Sequence, residues 1–284
     1  MRSRKTVIFL TLGFLIGISV LLYPAFSNYW NSNTQTRAIV NYESVLENIE
    51  PEDYSAMFQA AYDYNKALYE TGFPLTNYKD VPGYYDTLKL EGTDIMGYVK
   101  IEKIGVELPL YHGTSDRVLN IGVGHLEGSS LPVGGESTHS VMSAHRGLPS
   151  AKLFTDLDRL EYGDTFQITI LDQVLTYQVD QVKVVTPQEY NDLLIEEGKD
   201  YCTLFTCTPY GINTHRMLVR GTRIENIEPD RVINVITEAY QIDPLLVTPA
   251  VAAPMLGLLL VILLVKSSKN SKKKKQSDKT QDKK

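Results

Sequence analysis

Cysteine is nearly absent from this chain, with two residues in 284, Cys202 and Cys207. They lie five apart in one apparent strand, so alternation puts their side chains on opposite faces and a bond between them is not expected. Cys202, between Tyr201 and Thr203, reads as a small core residue. There is no CxxC and no pair of histidines at i, i+4, so neither a metal site nor a cofactor is expected. Positive charge is scarce outside the two ends. The chain carries −6 overall, yet the first five residues hold +3 and residues 266–284 hold +7, which leaves −16 between them. So acidic a middle argues against nucleic acid as a partner, because binding phosphate needs a basic surface.

Charge of either sign is missing from two long runs. Thr6 to Thr36 has none, and Val7 to Pro24 is almost wholly apolar, behind Arg2, Arg4 and Lys5. About 20 apolar residues span a bilayer as a helix. A cleaved signal peptide is the rival reading, but the run is long for one and its flank is bulky, so residues 6–26 are expected to be a retained anchor. The second run, residues 244–265, holds Pro249 and Pro254, which membrane helices tolerate. A buried soluble helix is the alternative. Nine lysines follow in residues 266–284, four of them consecutive, and basic residues mark the cytoplasmic side of a span. Both termini are therefore expected in the cytoplasm, with the tail near lipid headgroups, and the region between the spans outside, at the cell membrane.

Residues 27–37 are polar and rich in Asn and Thr, as suits a linker. Residues 38–70 read as helix interrupted at Pro51, and residues 71–90 as a loop carrying Phe73, Tyr78, Tyr84 and Tyr85; together residues 38–94 form a helical and lid-like segment. From residue 95 the pattern changes to short β-branched and aromatic runs between turn residues. Strands are predicted over 96–101, 107–111, 140–145, 165–171, 175–185, 201–207 and 217–224, with short helices over 152–157, 187–194 and 229–240. Such spacing suggests a closed barrel or a sandwich, placed at residues 95–240.

Within that region Cys207 ends its strand just before Thr208-Pro209-Tyr210-Gly211, a strong turn. Strand ends are accessible, as a nucleophile must be, and a thiol needs a neighbour to be activated. His145, also at a strand end, is a candidate base. Arg216 opens the following strand, and an antiparallel pairing would bring its guanidinium to the sulfur, where it would hold a carbonyl or oxyanion. His112, His125, His139 and His215 compete for the role of His145, and Arg146, Arg220 and Arg223 suit surface ion pairs.

The segment TLFTCTPYGINTHRMLVRG resembles the active-site motif of sortases, and its CTPYGxNTHRxLVRG pattern resembles the class C, pilus-assembling sortases of Gram-positive bacteria. GHLEGSSLPVGGESTHSVMSAHRGLPSAKLFTDLDRL and MGYVKIEKIGVELPLYHGTS carry the same resemblance, which runs from about Ile95 to Ile224; a second, C-terminal span is a further feature of that class. The resemblance implies a mainly β fold, a closed eight-stranded barrel with N-terminal and short peripheral helices. It implies that Cys207, His145 and Arg216 form the catalytic set, with Thr206 expected to add a hydrogen bond to the oxyanion. The implied reaction cleaves an LPxTG-like sorting signal of one pilin and joins the acyl group to a lysine of the next. In one respect the chain departs from its class, whose lid before the barrel carries an Asp-Pro-aromatic motif seated on the arginine and cysteine. Here TGFPLTNYKDVPGYYDTL has no such motif, so the usual plug is expected to be absent or replaced.

Three other functions compete. Anchoring of surface proteins to cell wall uses the same chemistry with a different amine. A membrane-tethered pilus-binding subunit would need its own sorting signal before the C-terminal span, where EAYQIDPLLV has none. A cysteine protease would resolve the thioester with water.

Overall fold

The computed structural model describes residues 4–226 together with residues 254, 255 and 257. The helix expected over 229–240, the Lys-rich tail and, apart from those three residues, the span expected over 244–265 lie outside the described residues. The chain divides into two compact units, and of the described residues those up to Asn28 fall in the first and Tyr29 onward to Asn226 in the second.

Helix α1, Arg4–Leu46, runs from the first unit into the second. In its first part Phe9, Leu12, Leu15, Ile16 and Val20 are exposed. Among the described residues one helix, Thr11–Leu46, is long and apolar enough to cross a membrane, with a mean hydropathy of 1.5 over its most apolar window. The linker expected over 27–37 is helical instead. No glycine or proline lies between residues 25 and 50, and the Thr34 and Thr36 hydroxyls donate to the carbonyls of Trp30 and Ser32 one turn back, so these polar residues solvate the helix rather than break it. Pro51 then opens α2, Pro51–Glu70, at the first helical position, where its missing N–H costs nothing. Phe58, Ala61, Tyr64 and Leu68 are buried at helical spacing. Asn65 exchanges two hydrogen bonds with the backbone of Leu131, of 3.0 and 2.7 Å, and the Tyr42 hydroxyl donates to Met96 O while accepting from Leu171 N.

Eight strands close into a barrel in the order β1-β2-β3-β4-β7-β8-β6-β5. They are β1 Ile95–Ile101, β2 Val106–His112, β3 Val123–His125, β4 Thr138–Ser143, β5 Thr165–Ile170, β6 Gln173–Val185, β7 Asp200–Thr208 and β8 His215–Ile224. The β2–β3 and β4–β7 pairs are parallel, and the others, including the closing β1–β5 pair, are antiparallel. Met142 of β4 and Ala144 just after it, Cys202 and Leu204 of β7, and Met217 and Val219 of β8 belong to the main core, while Val141, Val185 and Leu218 form a separate outer patch with Leu193.

Seven strands lie close to their predicted places, and the eighth, β3, is new. Its three residues Val-Gly-His follow Gly122, and an added Cβ at Gly124 would collide with the carbonyl oxygen of Gly113. Backbone contact, not side-chain pattern, specifies that strand. The short helices expected over 152–157 and 187–194 are turns, followed or interrupted by the 3-10 segments Leu157–Arg159 and Asn191–Leu193. Leu153 has φ +41°, outside the helical region, and segments this short do not nucleate a helix alone.

Candidate active site

Strand alternation fixes the face that Cys207 shows. Cys202, Leu204 and Thr206 turn inward, and Phe205 and Cys207 turn outward, Phe205 packing on the outer patch. In the antiparallel β7–β8 ladder Cys207 lies opposite Arg216, and Phe205 opposite Leu218. On the other side, parallel β4 matches Ser143 with Phe205. The ladder ends at that pair, and the same register continued two residues brings the His145 backbone alongside Cys207. Two contacts extend it past the end of β4: Thr206 Oγ1 donates to Ala144 O at 2.8 Å, and Arg146 Nη1 to Thr208 Oγ1 at 3.2 Å. Cysteine, histidine and arginine thus come from neighbouring segments at one rim of the barrel, with Arg216 directly opposite Cys207 in the ladder.

All three side chains are half-buried, and among the described residues neither the Cys207 thiol nor the His145 ring is hydrogen-bonded. Arg216 Nη1 donates to Asn213 O and His215 O at 3.0 and 3.1 Å. Asn213 takes φ +60° in this turn, a conformation asparagine tolerates. These carbonyls orient the guanidinium without neutralising it, and Arg216 forms no ion pair among the described residues. Its remaining donors are free for a developing oxyanion. The loops after His145 and Cys207 also touch: a Cβ at Gly147, whose φ is +78°, would lie 3.0 Å from the Tyr210 ring.

The other histidines have structural places. His125 is fully buried, with Nε2 against Ser130 O at 2.8 Å and Nδ1 against the Tyr84 hydroxyl at 2.8 Å. His139 lies between Leu194 O and the Thr203 hydroxyl. Burial pushes both rings down to about 4, so they are neutral at physiological pH. Burial also lowers His112, whose Nε2 meets Thr87 O at 2.8 Å. His215 is exposed and meets the Thr214 hydroxyl through Nδ1. Cys202 is a free, buried thiol held neutral by its burial. Among the described residues no group of three metal-ligating side chains occurs.

Two expectations need correction. Thr206, expected at the oxyanion, is buried on the inner face and its only hydroxyl proton goes to Ala144 O, so it has none to offer on the outer face. Arg146 forms the expected ion pair, with Asp158 at 2.5 Å, but not on the surface: its side chain is 10% exposed and also reaches Thr208. Arg220, 15% exposed, likewise pairs from a largely buried position, with Asp180 and Glu196, and lies over the Tyr201 ring.

The outer patch was not anticipated. Val141, Val185, Leu193 and Leu218 are buried there, and Leu126, Phe205 and Leu75 pack against them. Leu75 comes from the lid-like segment, in the single turn α3, Pro74–Asn77. That segment is held further along by Tyr84 on His125 and by the Tyr85 hydroxyl on Glu127. Asp80 and Asp86 form no ion pair among the described residues. The signal for the patch was present in the sequence, because Phe205 and Leu218 are apolar positions two residues from Cys207 and Arg216 on their shared face.

A family model of the sortase domain matches residues 99–224. The crystal structure of sortase C1 from Streptococcus agalactiae is similar at 49% sequence identity and a TM-score of 0.63, covering 67% of this chain and 100% of that one. Sortase C from Streptococcus pneumoniae is similar at 43% identity and a TM-score of 0.61, covering 68% of this chain and 99% of that one. Sortase D of Bacillus subtilis (strain 168) is 29% identical over 141 residues, which are 49% of this chain and 68% of that protein. With this barrel and with likenesses that span 99–100% of the two sortase C structures, the chain belongs to the sortase family of cysteine transpeptidases, in its class C branch.

Proposed function

We propose that this transpeptidase polymerises pilins, with Cys207 as nucleophile, His145 as acid and base, and Arg216 as oxyanion partner. The observation that supports the catalytic assignment is the register at Cys207, opposite Arg216 on β8 and beside the continuation of β4 toward His145. The substrate assignment is supported by the likeness to the sortase C of Streptococcus pneumoniae, whose structure was described in terms of pilin substrate specificity.

The Cys207 thiolate attacks the threonine carbonyl carbon of an LPxTG-like sorting signal. The carbonyl oxygen takes up the negative charge, which Arg216 stabilises by donated hydrogen bonds. Collapse of this intermediate breaks the threonine–glycine bond, and protonated His145 gives its proton to the departing amine. A lysine ε-amine of a second pilin then attacks the thioester, and neutral His145 takes the proton. The thiolate leaves and an isopeptide bond joins the subunits. Substrates would be held beside the membrane with the enzyme: the apolar part of α1 serves as an anchor, residues 244–265 as a second span, and the barrel faces outward.

The test is polymerisation with purified enzyme and pilin. Cys207→Ala is expected to abolish covalent ladders, and mass analysis should find the wild-type thioester on Cys207. Ladders formed by the alanine variant would overturn the assignment. Transfer only to a wall-precursor amine, and never to pilin lysine, would make it a wall-anchoring enzyme.

A further inference from the structure

Backbone pairing alone does not fix the distance between His145 and Cys207. Strand β4 ends at Ser143, two residues short of the histidine. Ala144 N still donates to Phe205 O at 3.2 Å, but beyond it the link between the two chains is made by side chains. Thr206 reaches Ala144, one residue before His145, and Thr208 receives Arg146, one residue after it. Resting on the proposed roles of Cys207 and His145, we propose that Arg146 is a positioning residue, which sets the imidazole against the sulfur without touching substrate.

Three observations support this. First, the Arg146 side chain is largely buried and reaches Thr208, a buried residue of β7 next to Cys207, so its contact ties the segment that carries His145 to the end of the Cys207 strand. Second, its fork is anchored at both ends. Nη1 meets Thr208 Oγ1 at 3.2 Å and Nη2 meets the Asp158 carboxylate at 2.5 Å. A rigid guanidinium can hold two such directions at a fixed separation, and a lysine ammonium on a flexible stem cannot. Third, the arginine is only partly satisfied. Among the described residues its Nε is buried without a hydrogen-bond partner, and such an orphan donor opposes folding. The charge and the fork are kept where they span from the His145 loop to the end of the Cys207 strand.

The experiment compares full-length Arg146→Met, Thr208→Val and the double variant with the wild type in detergent. A fluorogenic peptide bearing an LPxTG-like signal is the substrate, and rates are normalised to folded protein. Displacement of a catalytic pair by a fraction of an ångström to an ångström is expected to lower kcat about 10- to 100-fold, with KM for the peptide unchanged. The double variant should be no worse than Arg146→Met, because both changes cut one contact, and Arg146→Lys should rescue only part of the rate. A lower melting temperature with unchanged kcat per folded molecule would overturn the proposal, as would fully additive losses. His145→Ala serves as the control. If it leaves thioester formation intact, the reading of the site itself has failed; if it abolishes thioester formation while Arg146→Met does not affect kcat, only the positioning role has.

Discussion

At the scale of single residues, the buried histidines tie stability to pH. His125 and His139 have folded values near 4, pushed down by burial, against an ordinary value of about 6.5. Between those values the unfolded chain binds more protons than the folded one. Their contribution is therefore fully present above about pH 6.5 and is lost progressively as pH falls toward 4, a few kcal/mol at most for each ring. Thermal melts from pH 7.5 to 4 should show this decline, and His139→Gln should flatten part of it; a melting temperature independent of pH across that window would contradict the assignment. The three proposed catalytic residues were candidates in the sequence because each was expected at a strand end beside a turn, but only the sortase resemblance singled out His145 among five histidines. Thr206 was misplaced because it was judged by nearness to Cys207 along the chain, whereas strand alternation turns neighbours to opposite faces. Arg146 was misjudged for a related reason. Its partners, Thr208 and Asp158, are 62 and 12 residues away, and nothing local in the sequence announces either.

Among the elements, the lid-like segment is the one whose contacts bear on substrate entry. Leu75 packs on the outer apolar patch, two residues along the strands from Cys207 and Arg216. An extended peptide with its threonine carbonyl at Cys207 would lay an upstream apolar residue on this patch, since a strand advances about 3.3 Å per residue. Leu75 and such a residue cannot both be there. Leu75 is half-buried, so Leu75→Ala removes about 1 kcal/mol of competing burial, which amounts to about a fivefold lower KM for the sorting-signal peptide. Initial-rate kinetics with both enzymes decide the matter, and an unchanged KM would place the patch off the substrate's path. The Asp-Pro-aromatic search could not find this contact, because the residue that packs is a lone leucine in a single helical turn. Other elements were legible in proportion to their regularity. Strands with alternating burial were found nearly whole, β3 was hidden by its glycines, and residues 27–37 were mistaken for a linker because polarity was taken for irregularity.

For the whole molecule, the closed barrel is what aligns the three segments at one rim, and closure depends on the β1–β5 seam. At Gly97 an added Cβ would collide with the Thr169 carbonyl oxygen and lie 2.6 Å from Ile170 Cδ1. Gly97→Ala must push that seam apart and is expected to cost about 3 kcal/mol or more, at the upper end for overpacking. Gly221→Ala meets Phe166 Cε1 and Tyr177 Cβ, both at 2.8 Å; the Cβ is tied to its backbone, but the overlap is shallower than at Gly97, and the change should cost less, about 2 kcal/mol. Denaturant titration of the two variants tests the order, and equal or reversed losses would count against the seam as the tighter constraint. The strand pattern by itself left barrel and sandwich open, since strand lengths do not say whether the first strand meets the fifth; the sortase resemblance pointed to the closed eight-stranded barrel, which the structure has.

The parallel pairing of β4 with β7 has a consequence for how activity arises during folding. His145 and Cys207 are 62 residues apart in sequence, with all of β5 and β6 between them. Local hairpins form early, whereas contacts across long loops wait until the intervening chain is ordered. A partly folded molecule therefore carries the cysteine without the histidine, and the proposed reacting pair comes into being only when the fold is nearly complete. The enzyme's chemistry is switched on by its own tertiary structure.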